Sequence, residues 1–146
     1  MDSTEKMSYA EVEQWLERAF AAETEIRLLH AAKQRALEQC QPGAQRLDAI
    51  GRRSSGSGNS RIQKYIETVE RLDRAIERLN ETTDEIYRTI MRVPDVTLRV
   101  LLFDRYVRKL TWDDIALELD VEPRTVYRLR KKAIESVGAI LARKAS

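Results

Sequence analysis

The sequence predicts an all-α protein, a long two-helix coiled-coil arm over residues 8–93 followed by a three-helix helix-turn-helix domain over residues 94–146. Three observations predict it. The 146 residues include only five glycines and three prolines, while 34% are charged, so helix breakers are few and solvated helix faces many. Apolar residues recur at seven-residue spacing between Ser60 and Val93, a coiled-coil pattern. Finally, Leu110 to Lys132 carries two short amphipathic helices with a tight turn between them. Aromatic residues make up only 6% of the chain, which argues against a large globular core.

Taken in order, residues 1–7 read as a disordered N-terminus. Ser8 and Glu11 form a capping box, with Met7 and Val12 at the spacing of a hydrophobic staple, so a helix starts at Ser8 or Tyr9. Its apolar stripe runs Val12, Trp15, Leu16, Ala19, Phe20, Ile26, Leu29, Ala36, Leu37 and Cys40, until Gln41, Pro42 and Gly43 stop it. A helix of that extent is on the order of 50 Å long and needs something running beside it. The second arm helix supplies it. One row holds Ile62, Val69, Ile76, Thr83 and Ile90, the other Tyr65, Leu72, Leu79, Ile86 and Val93, with Thr83 the soft spot. An antiparallel hairpin and a parallel dimer through this helix both satisfy the pattern. Between the two helices lies a Gly/Ser-rich connector, residues 42–59, in which Leu47 and Ile50 allow a short helical turn and the rest reads as mobile.

Pro94 ends the coiled coil, because the residue before a proline is pushed out of helical geometry. Asp95 caps the next helix, and Leu98, Leu101, Leu102 and Tyr106 give it a core face. Thr111 with Asp114 caps the following one, with Leu110 and Ile115 as its staple and Asp113 and Asp114 at the positive end of the helix dipole. Asp120 stands at the turn, where a left-handed backbone is tolerated by Asp. Pro123 opens the last helix at the position where its missing N–H is harmless. Val126, Leu129 and Ala133 face inward, and the helix continues through Ile134, Val137, Ile140 and Leu141 despite Gly138.

Charge is distributed unevenly behind a net value of +2. Acids crowd the front of the chain, whereas Pro123 to Lys132 holds Arg124, Arg128, Arg130, Lys131 and Lys132 and no acid. A short helix so one-sided in charge repels itself unless a polyanion receives it, which points to nucleic acid. The single cysteine, Cys40, rules out an internal disulfide and, with the lone His30, leaves no Cys/His metal set. No apolar run reaches the roughly 18–20 residues of a membrane span, and the N-terminus lacks the apolar core of a signal peptide. A cytoplasmic protein follows, with no membrane partner. Arg52 and Arg53 lie beside Gly and Ser, but a phosphate loop needs a Lys and a preceding strand that are both missing. The acids alternate with Lys and Arg as surface helix pairs, so neither an enzyme nor a cofactor is predicted.

The segment from Leu110 to Lys132 resembles the helix-turn-helix of sigma-factor region 4 and of small phage-encoded transcription regulators of the RinA and ArpU type. The likeness rests on Ala116 at the tight inter-helix contact, Ile115 and Leu119 before the turn, and Val121, Val126 and Leu129 after it. Upstream, LLFDRYVRKLTWDDIA is similar to a signature of a related phage family, and the Ser/Gly run extends the resemblance loosely to residues 54–93. Asp120 departs from the Gly usual in the motif, and Glu122 from the usual Ser or Asn cap. The resemblance implies a sequence-specific transcriptional regulator of phage or prophage origin that activates late genes, with RNA polymerase as a further partner.

Arg124, Arg128 and Lys131 fall on the helix face that enters the major groove in such motifs, where Arg commonly reads guanine. Thr125 and Lys132 are placed to touch phosphates, which position without specifying. Tyr127 reads either as a base or sugar contact or as cover for the core edge, and Trp112 as packing near Tyr106. The expected partner is double-stranded DNA. The expected active species is a homo-oligomer, a dimer in its simplest form, set by the helical arm. A DNA-packaging protein like a small terminase subunit, or a polymerase-interacting module that does not bind DNA, remains as an alternative.

Overall fold

A computed structural model describes residues 7–40 and 55–145, and every element among them is an α-helix. The elements are α1 (Tyr9–Cys40), α2 (Ser55–Met91), α3 (Val96–Tyr106), α4 (Trp112–Leu119) and α5 (Pro123–Ala145). Residues 1–6 of the expected disordered terminus, the connector up to residue 54, the turn at Leu47 and Ile50, and Arg52 and Arg53 lie outside the described residues. No helix among the described residues is long and apolar enough to cross a membrane.

α1 begins with a complete capping box. The Ser8 amide donates to Glu11 Oε1 at 2.8 Å and the Glu11 amide donates to Ser8 Oγ at 3.2 Å, so two otherwise orphaned donors are satisfied. α2 starts at Ser55, earlier than the Ser60 read from the sequence. Ser and Gly are weak helix formers, but extending an existing helix carries no nucleation cost. α2 ends before Pro94 in two tightened turns, Arg92 N to Thr89 O at 3.0 Å and Val93 N to Ile90 O at 3.1 Å. The buried Thr89 hydroxyl satisfies itself on the Glu85 carbonyl at 2.8 Å.

The chain divides into two compact units, one formed by Met1–Ala22 with Glu81–Ser146, the other by Glu23–Asn80. In the first, Val12, Leu16 and Ala19 of α1 join Ile86, Ile90 and Val93 in one buried cluster with residues of α3, α4 and α5. The helix-turn-helix therefore does not pack as a separate body after Pro94. Its three helices, of 11, 8 and 23 residues, are few residues from which to build a self-sufficient core. It completes its core with the start of α1 and the end of α2.

In the second unit α1 and α2 pair antiparallel. Lys33 Nζ meets Asp73 Oδ1 at 2.7 Å, and Ala36, Gln39 and Cys40 share a cavity of about 240 Å³ with Arg61, Lys64, Tyr65 and Thr68. Within the chain the heptad rows thus serve a hairpin. Burial is sparse here, and among the described residues of this unit only Ile76 is buried.

Candidate nucleic-acid interface

α3 is set by its cap and its core face. Asp95 Oδ1 accepts from the Leu98 amide at 3.1 Å, and Leu101, Leu102 and Tyr106 are fully buried while Leu98 packs against the same cluster. Three of the carbonyls at its end are engaged. Phe103 O accepts from Val107 and Arg108, Asp104 O from Leu110, and Tyr106 O from Lys109 Nζ at 2.7 Å. Lys109 takes a left-handed backbone, φ 64°, to make this corner.

α4 starts as its cap residues dictate, with Thr111 Oγ1 accepting from the Asp114 amide at 3.0 Å. Ile115 and Ala116 are its buried residues. The turn after it is a Schellman motif built on an aspartate. Asp120 sits at φ 58°, ψ 48°, its amide donates to Leu117 O at 3.2 Å, and the Val121 amide reaches Ala116 O at 3.1 Å. Asp120 thus fills the role glycine usually takes. α5 follows at once, with Glu122 O accepting from Thr125 and Val126. Arg108 ties α3 to α4, donating to Asp104 Oδ1 at 3.0 Å and, bidentate, to both Glu118 carboxylate oxygens at 3.1 Å.

A cation and aromatic cluster locks this unit together. Phe20 of α1 stacks on Tyr106 with centroids 5.4 Å apart, and Trp112 meets Tyr106 edge-on at 6.4 Å. The Arg105 guanidinium lies over both Phe20 and Trp112, at 4.9 and 5.4 Å from their centroids, and donates to Leu110 O at 2.9 Å. Arg130 of α5 lies over Trp112 at 4.9 Å and is ion-paired with Glu13 of α1. Burial works against the charge on Arg130, but the Glu13 carboxylate more than offsets it and leaves its pKa above the ordinary value. Burial also pushes the Tyr106 phenol well above its usual range.

Arg130 is the residue that sequence reasoning missed. Charge alone groups it with the other cations of α5, yet it is turned inward and its Nε is buried. The signal was there, since Arg130 lies four residues after Val126 and four before Ile134, both fully buried, and so shares their face. Four cations remain outward.

Arg124, Arg128, Lys131 and Lys132 are all exposed, with Tyr127 among them at 59% exposure and Thr125 half-buried at the flank. Among the described residues none of these four cations is ion-paired, whereas Arg105, Arg108, Lys109 and Arg130 all have partners within the unit. Arg124, Arg128 and Lys131, at four- and three-residue spacing, stand on one helical face, with Tyr127 and Lys132 to either side. Val126, Ala133, Ile134, Val137 and Ile140 are buried on the other side and fix the rotation of α5. The arrangement can bind an extended anion along a helix. Among the described residues, no group of His, Cys, Asp and Glu stands together as a metal site.

No curated protein and no solved structure matches the chain. A family described as Protein of unknown function (DUF722) matches residues 24–138, a span that takes in the hairpin of the second unit, the helix-turn-helix and most of α5. Because that match covers most of the sequence, this chain is a member of the DUF722 family.

Proposed function

We propose that this chain is a sequence-specific DNA-binding transcriptional regulator of phage or prophage type, working in the cytoplasm as a homo-oligomer and binding rather than catalysing. One observation carries the reading. The first half of α5 presents on its solvent side four cations that pair with no acid among the described residues, directly after a helix-turn-helix corner closed by the Thr111 cap and the left-handed Asp120. Exposed cations not already held in an ion pair are the groups that phosphate receives at least cost, and a helix fits the major groove, about 12 Å wide. Arg124, Arg128 and Lys131 are assigned to base edges, Thr125 and Lys132 to phosphates, and Tyr127 to a sugar or base at the edge of the contact. The likeness to sigma region 4 and to the RinA and ArpU regulators supports late-gene activation as the task and RNA polymerase as a second partner.

Selection of bound fragments from a random duplex pool tests this. The expected result is an enriched inverted repeat whose half-sites are separated by about one helical turn or a multiple of it. A pool that stays unenriched, together with no gel shift at low salt, sinks the proposal.

A further inference from the structure

α3 is apolar on two sides. Its core side, Leu98, Leu101, Leu102 and Tyr106, belongs to the cluster of the first unit. The other side carries Val96, Val100 and Phe103 at four- and three-residue spacing, exposed by 61%, 43% and 40%, with the half-buried Val107 completing the stripe. A helix that is apolar on opposite sides is ordinarily covered on both. Elsewhere in this unit the large apolar residues of the same helices are mostly inside.

The charges near the stripe indicate what covers it. Arg99 donates its guanidinium to Val93 O at 2.8 Å, Asp104 is taken by Arg108, and Arg105 is turned onto Phe20 and Trp112. No strongly charged partner is called for, and an equally apolar one is. The stripe's four-, three- and four-residue spacing is symmetric about the midpoint between Val100 and Phe103, so an antiparallel mate sets Val100 against Phe103 and Val96 against Val107. The same pairing brings the end of the helix capped by Asp95 beside the end bearing Arg108, and opposes the two helix dipoles. These are the properties of a self-complementary surface.

We propose that the outer face of α3 is an interface with a second copy of this chain, formed about a two-fold axis between Val100 and Phe103. It gives the partner that the DNA reading above calls for. It is small, since an 11-residue helix spans about 16 Å, which falls short of the roughly 800 Å² per partner of a stable complex. The pairing is therefore weak in free solution and tightens when two copies are held on neighbouring half-sites.

Two measurements on the full chain test it without needing DNA. In a Cys40→Ser background, Val100→Cys should oxidise to a disulfide-linked dimer much faster than Leu28→Cys, a control at a position exposed by 63%. Sedimentation of the wild-type chain should show concentration-dependent association that Val100→Glu weakens at least about tenfold with helicity unchanged, a loss of about 1.4 kcal/mol or more. Equal crosslinking at the two positions overturns the proposal. So does a wild-type chain that stays monomeric, or a Val100→Glu chain that associates as before. Binding to a random duplex at low salt is followed in parallel. It depends on α5, which these changes do not touch, so its failure in the wild-type chain counts against the DNA reading alone.

Discussion

At the scale of single residues, Asp120 holds a conformation that costs an L-residue roughly 1–2 kcal/mol, and places a negative charge at the negative end of α4. Replacing it by Gly removes both penalties while keeping the two Schellman hydrogen bonds. Asp120→Gly should raise stability by about 0.5–1 kcal/mol, read as a higher denaturant midpoint with unchanged slope. On α5, Arg128 and Lys132 are exposed alike and differ in predicted partner. Arg128→Ala should cost about 1–3 kcal/mol at a selected site and little on random duplex, whereas Lys132→Ala should weaken both equally and lower the salt slope by about one. Titrations at several salt concentrations separate the two. That both stand on the outer face of α5 was legible from helical spacing and charge. The inward turn of Arg130 was missed because charge was weighed ahead of that same spacing, and its partner, Glu13, lies more than a hundred residues away.

At the scale of elements, α1 lies against α5 at Gly138, where an added Cβ would lie 3.2 Å from Val12 Cγ2. The glycine that weakens α5 as a helix former also leaves room for Val12 of α1. Gly138→Leu should destabilise the fold by about 1–3 kcal/mol through overpacking, measured by urea unfolding. Gly138→Ala trades a helix-propensity gain against a tight contact and should change little. Helix starts were legible where a side chain made the cap, as at Ser8, Asp95 and Thr111. The start of α2 was not, because Ser55 to Asn59 is poor helix sequence carried by the residues that follow it. The Gly138 contact could not be read at all, since periodicity within one helix says nothing about which neighbour presses on it.

For the whole molecule, the all-helical class was written in the composition and the heptads, which left an antiparallel hairpin and a parallel dimer both open. How the packing divides was not. The sequence changes character at Pro94, yet the compact unit reaches back to take in the start of α1 and the end of α2. Patterning shows which face of a helix is apolar but not which distant segment supplies the missing wall.

The discontinuous core has a practical consequence for dissecting the protein. A fragment cut at Pro94 would leave Ile134, Val137 and Ile140 without Val12, Leu16 and Ile86, their companions in the core, and should aggregate instead of folding. An internal deletion that splices Ala22 to Glu81 through a short Gly/Ser bridge keeps that wall, because the antiparallel helices need only a turn between them. The spliced protein should melt cooperatively and still shift duplex DNA, whereas the terminal fragment should do neither. The smallest working piece of this chain is then a graft of its two ends.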